Sequence, residues 1–166
     1  MRMMGIGTGL VALLLGLNAC DPAATTSSAS ADGRMRLSAN KSNGEFGQYV
    51  VHVNAMTASS LTPEVAQNYG ITRSENRGLV TVVILKKSPD LAAAQPVLSV
   101  VEVSAANLTG QLKPVELREI IDGDSIYYVG QVRVDNRETI NFDIDIRPKD
   151  SSRNLPIRFS HQFYTR

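Results

Sequence analysis

SIYYVGQVRVDNRETINFDIDIR, Ser125–Arg147, is the stretch whose reading decides the fold. Apolar and polar residues alternate on both sides of the turn-forming run Asp135-Asn136-Arg137-Glu138. That pattern predicts two β-strands, each with one buried face. Ile126, Tyr128, Gly130, Val132 and Val134 share one face of the first strand, and Ile140, Phe142, Ile144 and Ile146 one face of the second. Gln131, Arg133, Asn141, Asp143, Asp145 and Arg147 face the other way. Upstream, Val115–Ile121 reads as a third strand, joined through Asp122-Gly123, a dipeptide suited to a type I′ hairpin. The three strands are expected as a meander with one apolar face. Such a face must be covered, so the remaining strands are expected in a second layer opposite it.

Working outward, Tyr49, Val51 and Val53 alternate with Gln48, Val50 and His52, again a strand. Thr62-Pro63-Glu64 supplies a helix cap, a proline at the first helical position and an acidic first turn, and Gly70 a stop. A two-turn helix over Pro63–Tyr69 follows. Leu79–Lys87 is apolar on both faces, as a central strand would be. Val97–Ala105 and Ile157–Tyr164 complete the set. About seven strands and one short helix predict an all-β chain, an antiparallel β-sandwich for which an immunoglobulin-like order is open.

Composition narrows the function classes. The chain has 166 residues with 17 Lys+Arg against 16 Asp+Glu. Loss of a leader carrying Arg2 would leave 16 against 16, and a neutral body gives no electrostatic case for nucleic acid. There is no Trp and only 5% aromatic residues, which argues against a stacking platform. The single cysteine, Cys20, excludes an internal disulfide and a cysteine metal cluster.

Cys20 closes an apolar run. Met1-Arg2 gives a positive start and Met3–Leu17 an apolar segment of signal-peptide length, too short for the ~20 residues of a bilayer span. Leu17-Asn18-Ala19-Cys20 resembles the lipobox of bacterial lipoproteins, in which the cysteine is acylated and the leader is cut before it. Several acyl chains on Cys20 imply stable attachment to a membrane. Asp21 directly after it tilts the expectation toward the inner membrane. Asp21–Gly44 is rich in Ala, Ser, Thr, Asn and Gly and reads as a flexible tether. The expected organisation is therefore a signal peptide over 1–19, the lipidated cysteine and tether over 20–44, and the sandwich over 45–166.

Five stretches carry a resemblance: FGQYVVHVNA (Phe46–Ala55), LTPEVAQNYGITRSENRG (Leu61–Gly78), NLTGQLKPVELREI (Asn107–Ile120), DSIYYVGQVRVDNRETINFDIDIRP (Asp124–Pro148) and FSHQFYT (Phe159–Thr165). Together they resemble the proteobacterial family called domain of unknown function 4426, over nearly all of the body. The resemblance implies an envelope location and names no chemistry.

Candidate sites are few. Asp143 and Asp145 share a strand face, but on the polar side and with Arg133 in expected diagonal reach, so they read as solvated strand charges. His52 falls in the polar set and is expected exposed or at a sheet edge; His161, between Phe159 and Phe163, is expected partly buried with one nitrogen hydrogen-bonded. Neither histidine has a carboxylate at ligand spacing, so no metal is expected. No serine sits in a Gly-x-Ser-x-Gly setting, no glycine-rich run cradles phosphate, and no catalytic residue or cofactor is expected.

The segment that holds interest is Tyr69–Gly78. Arg73 and Arg77 flank Glu75 just before a buried strand, with Tyr69 close by. This group would suit a carboxylate, a phosphate or an acidic partner. The competing reading pairs the arginines with Glu75 or with nearby carbonyls. The functional expectation is an envelope lipoprotein, lipid-anchored and facing the periplasm, whose sandwich is a non-catalytic binding or accessory module with an envelope protein as its candidate partner. Its rivals are an enzyme with residues scattered in loops and a small-ligand carrier using the gap between sheets.

Overall fold

Period-two alternation places every long strand of this chain against one shared interior. The computed structural model describes residues 31–88 and 94–165. The expected signal peptide, Cys20, Asp21 and the first part of the expected tether lie outside the described residues.

One sheet runs in the order β2 (Asn43–Phe46), β3 (Tyr49–Thr57), β4 (Arg77–Lys86), β9 (Ser125–Arg133), β8 (Glu116–Asp122), with β5 (Gln95–Pro96) paired to β4. The other runs β1 (Met35–Ser38), β11 (Leu155–Gln162), β10 (Thr139–Pro148), β6 (Ser99–Asn107), β7 (Leu112–Lys113). All pairings are antiparallel except β1 with β11. The strands of seven residues or more are β3, β4, β6, β8, β9, β10 and β11. Lettered A to G in chain order, they form the sheets A-B-E-D and G-F-C, the constant-type immunoglobulin arrangement. The sandwich is therefore as expected, with its topology now fixed.

The meander is not. β9 pairs with β4 and β8, whereas β10 pairs with β6 and β11, so the two halves of Ser125–Arg147 lie in opposite sheets. Alternation shows that a strand has a buried face; it does not say whether its sequence neighbour lies beside it or across the core. The turn Asp135–Glu138 carries the chain over, closed by the Glu138 N–H donating to the Asp135 carbonyl at 3.1 Å. The β8–β9 hairpin does form, with Asp122 opposite Ser125. Its two-residue turn is Gly123-Asp124, and Gly123 takes φ +56° with Asp124 outside the positive region, the type II′ pattern rather than type I′.

The assigned faces hold. Ile140, Phe142, Ile144 and Ile146 from β10 meet Val132, Val134 and Tyr128 from β9 and its end, all buried. Phe142 lies 6.3 Å from the Phe159 ring and 6.4 Å from Phe163, centroid to centroid. Tyr128 ties the layers together: its hydroxyl donates to the Ser99 carbonyl at 2.9 Å and accepts from the Ser99 N–H at 2.8 Å. Apolar side chains from both sheets meet in this interior.

The ordered body also starts earlier than Glu45. β1 falls within the expected tether, β2 begins in its last two residues, and Leu37 is buried. Four-residue strands with a single buried apolar side chain, set among Ser, Asn and Arg, are too short for periodicity to reveal. Arg34 then clamps this segment to the second sheet through Asp145, at 2.9 Å.

The first sheet carries a second layer on its outer face. The helix α1 (Pro63–Asn68) is capped as expected, Thr62 Oγ1 accepting from the Val65 N–H at 3.4 Å. Its Ala66, with Ala58 and Ile71, packs on Leu79 of β4 and Val129 of β9. That layer explains why β4 is apolar on both faces. It also covers Val129, and Gln131, on the same face assigned to solvent, is buried as well.

Candidate functional site

The helix delivers the chain to the segment singled out from sequence. Tyr69 closes α1, Gly70 follows at φ +63°, and the Ile71 N–H returns to the Ala66 carbonyl at 2.8 Å. Ile71 plugs onto the sheet, and the chain turns through Ser74 and Asn76 into β4 at Arg77. The Asn76 N–H donates to Ser74 Oγ at 3.2 Å, and the Asn76 carbonyl accepts from the Val134 N–H at 3.0 Å. The entry to β4 is thus pinned to the end of β9.

Three of the expected residues part company here. Arg73 Nη2 donates to the Ser59 carbonyl at 3.1 Å, so this arginine caps the turn before α1. Tyr69 donates its hydroxyl to Asp122 Oδ2 at 2.8 Å, and that bond, with burial and the nearby carboxylate charge, holds the phenol above its usual range. Both side chains are engaged in the fold. Arg77 is different. It makes no ion pair with Glu75, and no side-chain hydrogen bond or ion pair is found for it among the described residues.

Arg77 stands directly opposite Arg133 in the β4–β9 register. Like charges so placed, with Cβ atoms about 4.5–5.5 Å apart, destabilise a sheet. Arg133 likewise has no side-chain partner among the described residues. Both line a cleft of about 550 Å³, together with Ser74, Asn76, Glu116 and Gln131. Gln131 is 5% exposed, and its Oε1 is buried with no hydrogen-bond partner. Glu116, opposite Gln131 on β8, forms no ion pair among the described residues. Arg133 is exposed and Arg77 half-buried, so solvent screens their charge, and the orphaned amide oxygen of Gln131 is the costly feature of the place.

The end of β9 beside the cleft is better satisfied. Lys113 donates to Glu138 Oε2 at 2.5 Å and to the Arg133 carbonyl at 3.3 Å. Burial works against ionised Glu138, but Lys113, the Asp135 N–H and Asn107 outweigh it and hold its carboxyl below the usual range. These contacts fix the end of β9 and leave the Arg133 side chain out of the bargain.

Asp143 and Asp145 do not belong to this site. Arg133 is on the other sheet, so the diagonal partner expected for them is absent. Asp143 accepts instead from Arg158 Nε at 2.7 Å and Nη2 at 3.0 Å, across β10 and β11. Asp145 accepts from Arg34 and from Asn154 Nδ2 at 3.2 Å. They are strand charges with partners, as read, but with different partners. His52 is exposed. His161 is partly buried between Phe159 and Phe163, but its Nδ1 lacks the expected hydrogen bond. Among the described residues no three of His, Cys, Asp or Glu converge as a metal site would require. No described helix is long and apolar enough to cross a membrane.

The sequence pointed to Arg77 but missed Arg133, Gln131 and Glu116 as its companions. They meet only through strand pairing, and the register between β4 and β9 spans some fifty residues of sequence. An arginine on a predicted solvent face gives no sign that another will sit opposite it.

The fold defines the class: a β-sandwich of constant-type immunoglobulin order, with a helix and a cationic cleft on the outer face of its larger sheet. Residues 43–166 match the model of the family described as Domain of unknown function (DUF4426), and the chain belongs to that family. A crystal structure of a DUF4426 family protein from Pseudomonas aeruginosa PAO1 is similar at 31% identity and a TM-score of 0.64, over 75% of this chain and 94% of that one. A family 123 glycoside hydrolase from Clostridium perfringens matches at 7% identity and a TM-score of 0.35, over 70% of this chain and 27% of that one. That likeness is too slight to carry an argument. No curated protein matches the chain.

Proposed function

We propose that this chain is an envelope lipoprotein whose sandwich is a non-catalytic binding module, with the Arg77–Arg133 cleft as its recognition site. One observation carries the reading. Two arginines stand opposite each other on neighbouring strands with no counter-ion among the described residues, beside a buried glutamine oxygen with no partner. Neither guanidinium is taken up by a partner in the fold, and both face the cleft with their donors available. A site that awaits an anion leaves them open.

The lipobox Leu17–Cys20 supports anchorage through Cys20, and the body would then face the periplasm. Asp21 favours the inner membrane in that reading. The partner is a component of the envelope that offers an acidic group. Nucleic acid finds no comparable basic surface in a chain of formal charge +1.

The test is a photo-activatable phenylalanine derivative in place of Ser74, irradiated in intact cells. The reading expects a discrete adduct that disappears when Arg77→Ala and Arg133→Ala are combined, in a protein that still folds. An adduct indifferent to both arginines would remove the cleft from consideration.

A further inference from the structure

We propose that the Arg77–Arg133 cleft takes the free carboxylate end of a peptide, with the arginines on the carboxylate and Gln131 with Glu116 on the N–H donors behind it. This rests on the cleft being a recognition site, and it names what the site recognises.

The first argument is charge. Arg77 and Arg133 bring two positive charges to the cleft lining and Glu116 brings one negative charge, leaving one positive charge over. A monoanion neutralises that excess. A phosphate group, carrying roughly −1.5 to −2 at pH 7, would exceed it and bring its surplus charge near Glu116. Guanidinium forks match the planar carboxylate in shape as well as in charge.

The second argument is donor and acceptor count. Gln131 Oε1 is buried and accepts from nothing, so it meets an occupant when the side chain turns into the cleft, and Glu116, exposed at the rim, can only accept when ionised. A bare anion would satisfy the arginines and leave both acceptors as they are. An occupant that presents N–H or O–H donors next to its anionic group would meet them. A peptide end does this in one residue: its carboxylate and its own amide N–H are separated by a single Cα.

The spacing agrees. Gln131 and Arg133 are alternate residues on one strand, about 6.5 Å apart and on the same face. Glu116 lies opposite Gln131, and Arg77 opposite Arg133. The acceptors thus form one row and the guanidiniums the next, about two residues of extended peptide apart, so the donors that reach the acceptor row come from the last two residues of the bound chain. The cleft, at about 550 Å³, lies in the range of small-ligand sites. It suits the end of a chain and not the face of a folded domain.

The test uses the full-length lipoprotein purified in detergent and three probes: N-acetyl-trialanine with a free carboxylate, the same peptide as its C-terminal amide, and inorganic phosphate. Calorimetric titration should show the free acid binding at least tenfold more tightly than the amide, and more tightly than phosphate. Gln131→Met should weaken the acid and leave phosphate unchanged, whereas Arg133→Gln should weaken both. Equal binding of acid and amide would overturn the proposal, as would a preference for phosphate or silence with all three probes. The acid-to-amide comparison needs no variant, so a substitution that fails to fold does not protect the idea. If the peptide acid fails while the adduct formed through position 74 still depends on the arginines, the cleft remains a recognition site with a different ligand. If that adduct also ignores the arginines, both readings fall.

Discussion

The ring of Phe163 lies so close over Gly78 that a Cβ built on the glycine would come within 2.6 Å of Phe163 Cε1. Gly78 sits one residue beyond Arg77, on the inner face of β4, opposite Val132. The same Cβ would meet Val134 Cγ1 at 3.0 Å. Phe163 is fully buried and packs edge-on against Phe142, so the ring has nowhere to retreat. The glycine lets the C-terminal end of the chain seal the sandwich directly beneath the cleft.

Gly78→Ala should therefore destabilise the fold by about 1–3 kcal/mol, the cost of overpacking a filled interior. Urea unfolding would show it as a lower midpoint at unchanged slope. A midpoint shift worth less than about 0.5 kcal/mol, the range of ordinary surface changes, would mean that the ring moves aside freely.

His161 gives the stability a pH dependence. Burial lowers the affinity of its ring for a proton, and Nδ1 has no hydrogen-bond partner. The folded state thus takes up its proton at lower pH than the unfolded chain, whose histidine titrates near 6.5. Above that value both forms are neutral and the effect is absent. As pH falls through it, the unfolded state is protonated first, and stability declines until the folded form also protonates. Unfolding free energy should fall between about pH 7 and the lower folded value. His161→Phe should flatten that part of the profile. A slope unchanged by the substitution would place the titrating group elsewhere.

Cys20→Ala tests the anchor. Detergent phase partition should find the native protein with the membranes and the variant in the aqueous phase or unprocessed. Identical processing and partition of the two would remove lipidation from the account.

The inner faces of this sandwich were legible because burial imposes a period of two, and Ile126 to Ile146 obey it on both sides of the turn. Partnership was not legible. Nothing in alternation distinguishes a hairpin from a crossing between sheets, and Asp135-Asn136-Arg137-Glu138 serves the second as well as it would serve the first. The outer layer escaped for a related reason. Gln131 is polar and alternates with the core, so it reads as exposed, and nothing local reveals that its face of β9 is covered. The helix itself was plain from Thr62, Pro63 and Gly70, because caps and stops are local chemistry. Of the candidate group, Arg77 stayed open while Arg73 and Tyr69 were claimed by Ser59 and Asp122, partners distant enough in sequence to be invisible there.

The account stands or falls on whether Arg133 faces Arg77 without an internal partner, and urea unfolding of Arg133→Gln at low and at high salt measures that. Removing one of two opposed like charges should stabilise the protein by about 0.2–1 kcal/mol at low ionic strength. The gain should shrink near 1 M salt, where the screening length is about 3 Å. A variant less stable than the native protein at both salt concentrations would show that Arg133 is held by the fold, and would contradict the reading of the cleft as an open recognition site.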